Sequence, residues 1–182
     1  MNREQITFEQ YIKQMNSLST DDEKCFLNIC TVEQLPPNQL IECTSLNNQN
    51  YFYVILEGMV CEYLIENTKE VEHSFYFESD FFGSWSDDPD YTSQQVIYKS
   101  VEPVMLYKIN LKQWATLKRQ KPVFQTIWFN LLESQINNAI HWQYVFNHLP
   151  AADLFAMLLK HKPGILKNKR LVTILTYMCK EK

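Results

Sequence analysis

The chain has 182 residues, of which 46% are hydrophobic, 14% aromatic and 21% charged. This suits one compact domain, or one domain with a small appendage, and excludes a disordered or low-complexity polypeptide. The formal net charge of −4 argues weakly against a strong non-specific hold on nucleic acid. No apolar run is long enough to cross a membrane as a helix, and "MNREQITFEQYIKQ" has no signal-peptide core, so no membrane partner and a cytoplasmic location are expected.

Residues 4–30 read as helical. Phe8, Tyr11, Ile12 and Met15 repeat at helix spacing. "STDDEKCFLNIC" opens a second helix, with Ser19 or Thr20 as cap and acids in the first turn. Pro36 and Pro37 then forbid any continuation.

From Gln39 to Ile109 the pattern changes. "QLIECTSL", "YFYVILEGMVCEYLIE", "EVEHSFYFES", "QQVIYKSV" and "VMLYKIN" are short, β-rich and partly alternating. Turn-forming stretches such as "LNNQN", "ENTKE" and "SDDPD" separate them. Strands of this length and spacing predict an antiparallel roll or barrel, not a βαβ sheet.

"NLKQWATLKRQKP" reads as a short helix capped by Asn110, and Pro122 opens a long one through residue 148. Its apolar positions, among them Phe124, Trp128, Leu131, Ile136 and Trp142, are too many for one stripe. A second buried face is the natural reading, which makes these five residues the expected interface of a homodimer. Two further helices are predicted, "LPAADLFAMLLKHKP" and "KNKRLVTILTYMCKEK". The fold class is therefore α+β, an antiparallel β-roll of the jelly-roll kind. N-terminal helices, a long dimerisation helix and a helical tail flank it.

"YFYVILEGMVCEY" resembles the strand–Glu–Gly–strand signature of cyclic-nucleotide-binding β-rolls, and "ESDFFGS" resembles the segment that leads into their phosphate-binding cassette. "PAADLFAMLLKHKPGILKNKRLVTILTYM" is similar to the approach to a helix-turn-helix. Together these resemble the Crp/Fnr family of bacterial transcription regulators. The resemblance implies a nucleotide-binding-like roll with N-terminal helices over residues 1–120, a dimerisation helix over 121–148 and a partial DNA-binding region over 149–182. Gly58 and Gly83 fall where the family's turns want glycine.

The same resemblance assigns the ligand loop. Family cassettes carry Gly-Glu, then Arg-Ser or Arg-Thr, so that the Glu holds a ribose hydroxyl and the Arg pairs with the cyclic phosphate. Laid on this sequence, those positions are Gly83, Ser84, Thr92 and Ser93. The Glu and the Arg are absent, and Asp87, Asp88 and Asp90 add like charge. Binding of cyclic AMP or cyclic GMP in the family manner is not expected. The stretch 86–91 reads as a solvated acidic turn. A different small molecule in a hollow lined by Tyr53, Phe75, Phe77, Phe82 or Trp85 is the alternative. Calcium at the three aspartates lacks the glycine and distal Glu of a Ca²⁺ loop.

Other chemistries find little to stand on. Cys25, Cys30, Cys43, Cys61 and Cys179 have no CxxC spacing and read as free thiols in a reducing compartment. A cupin-type metal site needs clustered strand histidines, and His73 is the only histidine in a predicted strand. No GxSxG, P-loop or GxGxxG occurs, so catalytic residues, metal and cofactor are all expected to be absent. In the tail, the family's turn would fall on Cys179, and three residues leave no room for a reading helix. The 182-residue chain is therefore not expected to read DNA by that route. The expectation is a Crp/Fnr-like regulator or sensor. The alternative is a degenerate relative that acts through small-molecule or protein contacts.

Overall fold

Ser19 starts the first helix. Its backbone is extended, and its hydroxyl accepts the Asp22 N–H at 3.2 Å while Asp21, Asp22 and Glu23 face the positive end of the helix. The computed structural model describes residues 18–43, 50–66, 69–84, 96–150, 153 and 156. Helix α1 runs Thr20–Leu27 and stops three residues earlier than the sequence suggested. Cys30 opens a strand instead, β1 (Cys30–Leu35). This strand was not foreseen. It lies at a sheet edge and leaves Thr31, Val32 and Gln34 exposed, so its composition is mixed rather than alternating.

The remaining strands are β2 (Leu40–Ile41), β3 (Tyr51–Glu57), β4 (Val60–Glu66), β5 (Lys69–Tyr76), β6 (Phe81–Gly83), β7 (Val96–Ser100) and β8 (Val104–Asn110). They form two four-stranded sheets, ordered β1-β8-β3-β6 and β2-β7-β4-β5, with antiparallel pairing throughout. This is the antiparallel roll of an α+β chain that the sequence predicts.

The alternation of β3 sets out two cores. Phe52 and Val54 join Phe26, Phe81, Tyr107, Ile109, Leu111, Trp114, Leu117, Phe124, Ile127 and Leu131 on the helical side. Tyr53 and Ile55 join Ile41, Val60, Phe82, Tyr98, Val104 and Leu106 between the sheets. The first core is closed by α2 (Leu111–Gln120) and the start of α3 (Val123–His148). Asn110 caps α2 as expected, its side chain accepting the N–H groups of Lys112 and Gln113 at 3.0 and 3.2 Å. Lys121 ties α2's end back to α1 through Asp22 at 2.6 Å.

The chain divides into two compact units, Met1–Leu131 and Leu132–Lys182. In the second, α3 continues to His148 with Ile136, Ile140 and Tyr144 each 60% exposed. Asp153 and Ala156 are also helical. The predicted helix around Phe8–Met15 and the one at 167–182 lie outside the described residues, as does most of the one at 149–163. No described helix is long and apolar enough to cross a membrane.

Gly58 turns the chain from one sheet into the other. Its φ is +93°, and a Cβ there would sit 2.5 Å from the Pro103 carbonyl oxygen and 2.8 Å from Val104 Cγ1. Both the backbone conformation and the close approach exclude a side chain. G58A is expected to destabilise the chain by about 2 kcal/mol or more. Chemical denaturation checks this, and an unchanged midpoint would contradict the account of the corner.

Candidate functional site

The inner face of the roll carries a cluster of rings around one acid. Tyr53 stacks on Phe82 at 5.3 Å, Phe82 meets Tyr98 at 4.9 Å and Tyr76 at 5.6 Å, and Tyr76 meets Tyr98 at 6.1 Å. These rings come from β3, β6, β7 and β5, four strands that the topology brings together across both sheets. Of the residues expected to line a hollow, Tyr53, Phe77 and Phe82 are buried and Phe75 is half-buried opposite Cys61. Trp85 lies outside the described residues.

Glu62 sits among them at 8% exposure, the one buried carboxylate among the described residues. It occupies the inward parity of β4, two residues from Val60, and pairs across the sheet with Tyr98 and Ser74. Tyr76 donates its hydroxyl hydrogen to Oε2 at 2.9 Å. Tyr98 stands directly across the β4–β7 ladder from it. His73 Nδ1 donates to Oε1 at 2.7 Å.

His73 reaches that position because of a β-bulge. The β4–β5 register pairs Glu62 with Ser74 and Tyr63 with Glu72, which leaves His73 as the extra residue. A bulge re-aims one side chain relative to strict alternation. The imidazole thereby contacts the inner acid while its side chain stays 52% exposed.

This arrangement disfavours further negative charge. Burial pushes the Tyr76 and Tyr98 hydroxyls well above the ordinary 10.0, and the Glu62 charge is the next cause for both. Burial, then Glu62, likewise raises the Cys43 thiol above its usual range. Tyr53 is raised chiefly by burial, and its hydroxyl donates to the Glu42 carbonyl at 2.8 Å.

The expected cassette residues divide. Gly83 has φ +115°, and a Cβ there would lie 2.7 Å from the Tyr51 carbonyl oxygen. The Ser84 N–H donates to that same oxygen at 2.9 Å, so it is engaged by β3. Thr92, Ser93 and Asp87, Asp88 and Asp90 lie outside the described residues. Cys25, Cys30, Cys43 and Cys61 are not joined in disulfides. No group of three His, Cys, Asp or Glu side chains that could hold a metal ion occurs among the described residues.

The residues expected at a dimer interface also divide. Phe124 and Leu131 are 0% and 4% exposed within the chain's own helical-side core, which corrects their assignment to an outward face. Trp128 is half-buried, 5.3 Å from Phe52 and 5.8 Å from Trp114, with Lys118 Nζ over its ring at 4.7 Å. Ile136 is exposed. The Trp142 side chain lies outside the described residues.

No protein-family model matches the chain, and no curated protein sequence does. Solved structures match its shape. A doubly substituted CooA from Carboxydothermus hydrogenoformans aligns over 87% of this chain and 97% of its own, at TM-score 0.55 and 13% identity. A protein from Eubacterium rectale assigned to the Crp/Fnr family of transcriptional regulators aligns over 82% and 70%, at TM-score 0.56 and 11% identity. The c-di-GMP-responsive global regulator CLP of Xanthomonas campestris aligns over 74% and 68%, at TM-score 0.51 and 13% identity. At such identities the likeness is one of fold: this chain has the β-roll architecture of those regulators.

The tyrosine cluster fixes a pH dependence. All three hydroxyls titrate higher in the folded chain than their ordinary 10.0. Their stabilising contribution is therefore complete below that value and is lost as pH rises above it. The unfolding free energy should fall above pH 10.0, by up to about 1.4 kcal/mol per pH unit for each tyrosine, and the denaturation midpoint with it. Y98F should make the slope shallower. A midpoint indifferent to alkali would mean that the rings are solvated.

Proposed function

We propose that this chain is a cytoplasmic, Crp/Fnr-like regulatory protein, a sensor rather than an enzyme, whose roll does not respond to cyclic AMP or cyclic GMP. The shared architecture with the Crp/Fnr-family protein of E. rectale and with CLP supports the regulatory class. One observation carries the second half of the reading. Beneath Gly83 the inner face is occupied by Phe82, Tyr53, Tyr76 and Tyr98 around the Glu62 carboxylate. A cyclic phosphate would have to shed water next to a buried acid, and neutral donors seldom offset that.

The sequence adds to this. Thr92 stands where the resemblance places a guanidinium, and Ser84 where it places a ribose-binding Glu. Each charge-assisted bond missing from such a site removes about 1.5–3 kcal/mol. Calorimetry with cyclic AMP and cyclic GMP is expected to show no binding at sub-millimolar concentration. Tight binding of either nucleotide would overturn the reading.

Self-association is the second part of the proposal. Ile136, Ile140 and Tyr144 follow one another at four-residue steps, so they share one helix face, and each is 60% exposed. An apolar row of this kind is what a homodimer would cover. Sedimentation should give a dimer for the unaltered chain and a monomer for the paired substitution I136E and I140E. A monomer at high micromolar concentration before any substitution would remove this part.

A further inference from the structure

We propose that the Glu62 cluster is a recognition site for a small organic cation, an alkylammonium or guanidinium, which takes the place of His73 on the carboxylate. The inference rests on the reading of the roll as a sensor and names the ligand chemistry of its inner face.

The first argument is charge. Glu62 is buried, and its hydrogen-bond partners are one phenol hydroxyl, that of Tyr76, and one imidazole. Among the described residues no Lys or Arg ion pair reaches it, while Lys99, Lys108 and Lys121 pair with Glu70, Glu33 and Asp22. A buried carboxylate gains most from a full cation at hydrogen-bond distance. Burial is the first cause of the raised Tyr76 and Tyr98 hydroxyls, and the Glu62 charge is the second.

The second argument is the walls. Carboxylate plus aromatic rings is the chemistry that binds ammonium and guanidinium groups. The roll already seats its own ammonium groups on tyrosines: Lys108 Nζ lies 4.6 Å from the Tyr51 ring and 5.9 Å from Tyr53, and Lys99 Nζ lies 5.4 Å from Tyr63.

The third argument is access. Glu62 is shielded on one side by His73, which stands on an edge strand, at a bulge, half in solvent. His73 Nδ1 also lies 3.2 Å from Ser74 Oγ, and turning the ring outward breaks side-chain contacts while the backbone ladder of β4 with β5 and β7 stays paired. The ring's departure uncovers Oε1, the oxygen it now holds at 2.7 Å. The bulge thus places a removable group where a ligand's nitrogen would bind.

The test is calorimetry and thermal shift on the full chain with putrescine, agmatine and choline as probes, beside cyclic AMP. At least one cation should bind and raise the melting temperature. H73A, which removes the occupant and spares the acid, should bind that cation more tightly. E62Q should weaken it by about tenfold or more, since it keeps the shape and removes the charge. No response to any of the three cations at millimolar concentration overturns the proposal, as does an H73A variant that is folded yet binds no better. H73A carries the test if E62Q fails to fold. Cyclic AMP binding would instead sink the underlying reading of the roll, so the two failures are separate.

Discussion

The rest of the first unit depends on β3 being buried on both faces. Four consecutive residues, Phe52 to Ile55, are each 1% exposed or less. An antiparallel strand normally keeps one face wet and shows it as alternating polarity. Here the two parities serve two different neighbours. Phe52 meets Trp114 and Trp128, and Tyr53 meets Phe82. A register slip of one residue would present each set to the wrong neighbour, so the pairing with β8 is strongly specified.

That two-sidedness links the helices to the interior. Trp114, packed edge-on to Phe26, Phe52 and Phe124, is almost fully buried, and its indole N–H has no conventional acceptor. Surrounding ring faces are the available weak acceptors. The same strand carries Tyr53 into the layer that contains Phe82, Tyr98 and, beside them, Glu62. Whatever shifts the α2 and α3 contacts on Phe52 therefore acts on a strand whose next side chain lines the candidate site. The physical channel is one backbone segment.

The sequence displays some of this and conceals the rest for identifiable reasons. β3, β4 and β8 were legible because their apolar residues are dense and bounded by turn formers. β1 was not, since an edge strand needs only one paired side and tolerates a polar surface. β6, with three residues, is too short to show a period. Asn110 and Gly58 were legible because a cap and a left-handed turn each demand particular residues. The helix after Pro122 was legible as a helix, but its faces were not. Phe124 and Ile136 look equivalent in sequence, and only packing makes one of them core and the other surface. At the candidate site, Glu62 did leave a trace: an acid at the parity of Val60 within an apolar strand. Tyr76 and Tyr98 join it only through the β7-β4-β5 order, and His73 only through a bulge that no spacing reveals.

The β1–β8 ladder has a consequence for how the molecule is made. Cys30 pairs with Ile109 and Leu35 with Val104, so the first strand synthesised waits for the last. Among the described strands β1 pairs with β8 alone, and β3 too is flanked by β8. Until the ribosome has released β8, the two-sided apolar residues of β3 lack their main partner. Loop closure over such separations slows folding and leaves apolar strand edges open in the meantime. This roll should therefore assemble after translation of its whole first unit, in one late step, with its chaperone demand concentrated in that interval.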